Sequence, residues 1–229
     1  MMRKNIIAFI SFVLLVTLIG QVGKTRFEDQ GLCDINKLDD LKGYRFSFES
    51  VDSEDDVSDY VKYEDEYVED FGNNNYIFLA SPTCNYKVGT STGMQEVKIN
   101  RVVKGDKELE GECVWIDGMP GFDYYEDEKE LRIDALLNYM QADNEYLIAC
   151  DAYGPVVLDD VPECSKYYAT DSVFGYLNLT KKENKGGIID AKKSYCVDDL
   201  KEYEFFGSCQ SVIDEKQKIK NKIIQEYSE

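Results

Sequence analysis

The stretch VKINRVVKGDKELEGECVWI, Val97 to Ile116, constrains the fold more than any other part of the chain. Val97, Ile99, Arg101 and Val103 share one face, and Lys98, Asn100, Val102 and Lys104 share the other. That is the two-residue period of a pleated strand, not the 3.6-residue period of a helix. Gly105 and Gly111 bound the turn region KGDKELEG, and Gly118 with Pro120 ends the second strand. The stretch therefore reads as a hairpin joining two strands of a meander. Arg101 breaks the apolar face. If it is buried it needs a carboxylate partner, and that would mark a site.

The flanking segments extend this reading. YRFSFES, Tyr44 to Ser50, alternates as a strand. Tyr76 to Val88 reads as one long strand bent at Pro82, and NEYLIACDAY and SVFGYLNLTKK as further strands. GPVVLDDVPECSKYYATD has the look of a loop. EDEKELRIDALLNYM fits both helical and extended readings, and a short helix around 127–140 is favoured. Residues 52–70 hold ten acids and one lysine. Their first half reads as a solvated loop and their second half as a partly exposed strand. CDINKLDDLKGY is expected to hold a helical turn ended by Gly43.

The tail SVIDEKQKIKNKIIQEYSE is helical. Val212, Ile213, Ile219, Ile223, Ile224 and Tyr227 form a 3.6-residue stripe, and Ser211 with Asp214 resembles a capping box. Lys216, Lys218, Lys220 and Lys222 complement the negative end of the helix dipole. Docking on the body is the expected role of this helix, with partner binding as the alternative.

The N-terminus bears on compartment. Arg3 and Lys4 precede a nearly unbroken apolar run from Ile6 to Gly20, slightly shorter than the about 20 residues of a usual span. A signal anchor with the body outside is favoured. A cleaved signal peptide, giving a secreted protein, and a buried core helix are the alternatives. The expected organisation is residues 1–23 as anchor or signal, 24–43 as a linker, and 44–229 as one extracytoplasmic β-rich domain. Within that domain a barrel spans about 75–180 and a C-terminal helix about 209–227.

Composition removes several chemistries. The chain has no histidine, which excludes Ser-His-Asp and Cys-His catalysis, histidine-ligated zinc and histidine pH switching. Formal net charge is −19, a surface that repels phosphate backbones and argues against nucleic-acid binding. No S-x-x-K or P-loop is present, and carboxylates are too numerous to single out a catalytic pair. No catalytic residue, cofactor or metal set is assigned.

Seven cysteines stand at 33, 84, 113, 150, 164, 196 and 209, none of them spaced C-x-x-C. In an exported protein disulfides are expected. Cys150 with Cys164 and Cys196 with Cys209 form short-loop candidates, Cys84 and Cys113 are further candidates, and Cys33 is the candidate odd thiol. The alternative is that several serve as small buried hydrophobes. Tyrosine is abundant, at 17 residues. Tyr60, Tyr63, Tyr67, Tyr124 and Tyr125, with Arg101, are candidates for a contact surface, ordinary packing of the tyrosines being the alternative.

The strand order, the KGD turn at Lys104–Asp106 and the EYL stretch at Glu145–Leu147 resemble netrin-like or TIMP-like OB-fold modules of exported bacterial proteins, over roughly residues 75–180. The resemblance implies a five-stranded barrel that binds partners rather than catalysing reactions. The protease-inhibitory cysteine of the animal family has no clear equivalent, because about 40 residues separate Cys33 from the barrel, so that activity does not carry over.

The expected fold class is thus mainly β with flanking helices, a small five-stranded OB-like barrel plus a C-terminal amphipathic helix. The expected role is a membrane-tethered extracytoplasmic binding or interaction module for an unidentified protein partner. An envelope assembly protein that uses its C-terminal helix and a carboxylate-based enzyme are the alternatives.

Overall fold

The computed structural model describes residues 35–48, 50–88, 93–119, 122–125, 130–133, 137–152, 166–170, 173–180 and 186–228. The apolar N-terminal run, Cys33 and Cys164 lie outside them. After a 3-10 turn at Leu38–Gly43 comes β1 (Arg45–Phe48), then helices α1 (Val57–Lys62) and α2 (Glu64–Asn73). The long strands β2 (Tyr76–Val88) and β3 (Gly93–Lys104) follow, with β4 (Cys113–Met119), β5 (Phe122–Tyr125) and β6 (Glu130–Ile133). Next are β7 (Tyr146–Ala152), β8 (Tyr167–Ala169) and β9 (Tyr176–Asn178). The chain ends with β10 (Gly187–Ile188), β11 (Tyr195–Cys196), α3 (Val197–Leu200), β12 (Phe206–Gly207) and α4 (Gln210–Tyr227).

Strands β2, β3, β4, β8 and β7 are hydrogen-bonded in that order, and β7 pairs back onto β2 to close a five-stranded barrel. The β4–β8 pair is parallel and the other four are antiparallel. The expected OB-like barrel with a C-terminal helix is therefore present. Closure removes the strand edges that would otherwise invite aggregation.

Alternation fills the interior with Phe78, Ala80, Val97, Ile99, Val102, Val114, Ile116, Ile148, Cys150 and Tyr168. The opposite faces of β2 and β7 are covered too. Ile77, Leu147 and Ala149, with Leu177 of β9, meet Tyr60, Val68 and Phe71 from α1 and α2 and Val212, Ile219 and Ile223 from α4. This is why YIFLA and YLIAC read as unbroken apolar runs: a strand buried on both faces has no polar alternation to show. A second sheet, β11-β1-β6-β5, and the parallel β10–β12 pair complete the body.

Four expectations change. The acidic segment 57–73 is two helices rather than loop and strand. Val57, Tyr60, Tyr67, Val68 and Phe71 supply its inward stripe, and the acids lie outside that stripe. The fifth barrel strand is Tyr167–Ala169, inside the segment that reads as a loop, whereas the SVFGYLNL strand pairs with β7 as β9. Within 127–140, residues 130–133 form β6 beside β1 and β5, so strand stands there in place of the short helix, while 127–129 and 134–136 lie outside the described residues. Helix α4 starts two residues earlier than the Ser211 box implies, with Cys209 as its N-cap.

Arg101 is exposed, and the reason is a register shift. Leu79 faces Arg101 but Ala80 faces Ile99, which places an irregularity at Asn100. Side-chain parity flips there, so Val102 continues the inward face and Arg101 turns outward. Its guanidinium donates to the Ser228 carbonyl at 2.7 Å, satisfying the C-terminal end of α4. Lys104 does the same for α2, donating to the Gly72 carbonyl at 2.8 Å.

Candidate functional site

The mouth of the barrel carries a groove of about 460 Å³, lined by Asn75, Tyr76, Gly105, Asp106, Asp151 and Ala152. These residues come from the start of β2, the turn after β3 and the end of β7. Antiparallel pairing of β2 with both neighbours brings the three ends together. Asp151 Oδ1 accepts the Asn75 backbone N–H at 2.8 Å and its side-chain amide at 2.6 Å. Asp106 Oδ1 accepts the Glu108 N–H at 3.0 Å and so starts the 3-10 turn Lys107–Leu109.

Gly105 shapes the groove. Its φ of +111° suits glycine, and a Cβ there would sit 2.5 Å from the Tyr76 ring. The ring packs edge-on against Tyr168, with centroids 5.0 Å apart. Burial pushes the Tyr168 phenol up to about 12, with Tyr76, Cys150 and Asp106 adding to the shift, so it stays protonated at neutral pH. The groove thus presents two carboxylates beside an aromatic wall. That chemistry receives ammonium or guanidinium groups and hydrogen-bond donors.

A second cluster of ionisable groups lies under α4. Lys216 is 1% exposed, and its ammonium lies 2.5 Å from Asp52 Oδ2 and 2.7 Å from the Phe206 carbonyl. The Tyr60 hydroxyl donates to the same Asp52 oxygen at 2.7 Å. Burial holds Lys216 below the usual lysine range while Asp52 acts in the opposite direction. One turn on, Lys220 is 2% exposed and lies 2.5 Å from Glu204 Oε2. Glu204 Oε1 accepts the Asn178 N–H at 2.7 Å. Lys218 and Lys222 pair with Glu64, and Lys222 also with Asp65, on α2. The four lysines therefore act through individual carboxylates, beyond the general dipole role expected of them.

Of the expected contact tyrosines, Tyr60 and Tyr67 pack inward. Tyr60 is buried, and with Tyr67 and Phe174 it forms an aromatic cluster between the helices and the barrel. Tyr63 is half-buried at the junction of α1 and α2. The side chains of Tyr124 and Tyr125 lie outside the described residues.

Cys84, Cys113, Cys150, Cys196 and Cys209 are all free thiols, so the Cys196–Cys209 pairing is corrected. These two cap different helices, Cys196 at the start of α3 and Cys209 at the start of α4, where its Sγ contacts Ser211 Oγ at 3.1 Å. Cys84 and Cys113 lie on strands flanking β3. Two strand spacings of about 4.8 Å exceed the about 7 Å that a disulfide spans between Cα atoms. Cys150 is fully buried inside the barrel, and burial pushes its thiol well above the usual value. Its proposed partner Cys164 is outside the described residues. Among the described residues no group of three or more cysteine, aspartate or glutamate side chains could hold a metal ion.

Neither the groove nor the α4 pairs were singled out in the sequence. The groove joins residues from three distant stretches, so no local signal exists. The buried lysines did carry one: Lys216 and Lys220 fall on the same helical face as Val212, Ile213, Ile219 and Ile223. No protein-family model matches the chain, and no curated protein matches it either.

Proposed function

We propose that this protein is an extracytoplasmic binding module, tethered to a membrane through its N-terminal apolar run, which engages a cationic group of a protein partner at the mouth of its barrel. The observation that carries the reading is the groove, where Asp106 and Asp151 stand beside the Tyr76 ring at the open end of a closed barrel. Small barrels of this kind commonly present binding surfaces on their strands and connecting loops. The net charge of −19 attracts cationic partners at long range. The netrin-like resemblance supports the same role, and its KGD turn ends at Asp106 in the groove wall.

The alternative, assembly through the C-terminal helix, is less well supported because the apolar stripe of α4 is packed against the body. The test is site-specific photo-crosslinking in cells. A crosslinker at position 106 is expected to give discrete adducts that diminish in an Asp151→Asn background. One at position 225, on the exposed side of α4, is expected to give none. Adducts from position 225 alone would favour the helix as the interface.

A further inference from the structure

A nucleophile and an electrophile meet under α4, away from the barrel mouth. Lys216 lies on the inward face of α4 with Val212, Ile213 and Ile219 and is 1% exposed. Its Nζ lies 2.5 Å from Asp52 Oδ2. The Asp52 backbone is pinned there, its carbonyl accepting the Ser208 N–H at 2.7 Å. The turn that follows is fixed as well, because the Ser53 N–H and hydroxyl both donate to Asp56 Oδ2. Amine and carboxyl are therefore held against each other from two rigid supports. Such a fixed approach acts as a very high local concentration.

The surroundings favour reaction as well as pairing. Burial holds the Lys216 amine below the usual lysine range, which enlarges the fraction carrying a free lone pair. The Tyr60 hydroxyl donates to Asp52 Oδ2 at 2.7 Å. Burial above all, with this hydrogen bond, raises the Tyr60 phenol well above its ordinary value, so it stays a donor. A donor aimed at that oxygen stabilises negative charge developing on it. The Phe206 carbonyl accepts from Lys216 Nζ at 2.7 Å. An amide at this place keeps both partners, its N–H on Phe206 and its oxygen on Tyr60. It also removes the desolvation cost of an ion pair held away from water. The Asp52 side chain is 18% exposed, which gives a departing water a way out.

We propose that Lys216 and Asp52 condense into an intramolecular isopeptide bond that staples α4 to the start of the body. The bond that forms joins Lys216 Nζ to Asp52 Cγ, and the bond that breaks is Cγ–Oδ1. Two of the three ammonium protons leave with Oδ1 as water, and the third stays on the amide nitrogen. The positive and negative charges cancel, no electrons are gained or lost, and no co-reactant is needed. The Tyr60 hydroxyl steadies the tetrahedral intermediate through Oδ2 and is unchanged at the end. The ring so closed runs from residue 52 to residue 216 and encloses every strand of the barrel. Closing a long loop restricts the unfolded chain, so the staple stabilises the fold.

Mass spectrometry of the full-length chain, purified in detergent and then denatured, tests this, with the N-terminus read from the peptide map. The expected result is a mass one water below that of the sequence, with a branched proteolytic peptide joining the segments around residues 52 and 216. Lys216→Met is expected to show the full mass of its own sequence and only linear peptides at both places. Tyr60→Phe keeps both reacting groups and is expected to slow bond formation about a hundredfold. Pulse-labelled chains on denaturing gels read this as delayed appearance of the compact, crosslinked form. Linear peptides at both positions in the natural chain, even with a water lost elsewhere, would overturn the proposal without any variant. An unslowed reaction in Tyr60→Phe would overturn the role given to Tyr60. None of these outcomes bears on whether the groove binds a partner.

Discussion

At the scale of single residues, charge placed inside packing has the largest consequences. Lys220→Met alone leaves Glu204 buried without its cation and is expected to cost about 3–5 kcal/mol, whereas Lys220→Met with Glu204→Gln is expected to recover most of that loss. Urea unfolding of the two variants checks it. Arg101→Ala, by contrast, removes an exposed bond to the end of α4 and is expected to cost less than about 1 kcal/mol. Gly105→Ala forces a Cβ against the Tyr76 ring at a positive φ and is expected to cost roughly 1–3 kcal/mol and to weaken partner crosslinking at the groove. Little at this scale was legible beforehand. Arg101 breaks an apolar face in the sequence, but its outward turn depends on a register shift that needs the pairing with β2. In the sequence Lys216 and Lys220 show only as dipole partners, because the carboxylates that receive them lie 164 and 16 residues away.

Among elements, the legible ones were those with a single period. The β3–β4 hairpin alternates cleanly, and the tail helix has one stripe. Segment 57–73 was ambiguous because Val61, Tyr63, Asp65 and Tyr67 satisfy a two-residue spacing while Tyr60, Tyr67, Val68 and Phe71 satisfy a helical one. Burial against the outer wall decides for the helix, and a wall is a tertiary fact. Strand β8 has only three residues, too few to show any period. The contact of α2 with α4 also sets a pH dependence. The Lys218 ammonium holds the Glu64 carboxyl below its usual range, with Lys222 adding to this, and Lys222 holds Asp65 low. Both carboxylates are depressed, so their support is present above the ordinary carboxylate range and is lost as pH falls through their lowered values. Glu64→Gln with Asp65→Asn is expected to reduce the acid sensitivity of the melting temperature in low salt, and to do so less in high salt, where these exposed pairs are already screened. Thermal melts across pH at two ionic strengths check it.

For the whole molecule, a closed barrel, a helical layer over one flank and a carboxylate-lined mouth make a scaffold suited to holding a partner. Its fold class was readable because both the hairpin and the doubly buried strands leave sequence signatures. Its groove was not, since it exists only where residues 75–76, 105–106 and 151–152 converge. The proposal that this body works outside the membrane depends on the N-terminal run, and the thiols give direct access to it. Cys84, Cys113 and Cys196 are exposed, while Cys150 is sealed in the barrel. The decisive measurement is labelling of intact cells with a membrane-impermeant maleimide in the presence of an impermeant reductant, followed by mass mapping. Modification at positions 84, 113 and 196 before lysis, with Cys150 reacting only after denaturation, is the result expected of an extracytoplasmic body. Modification of those three only after lysis would place the body inside and contradict the account.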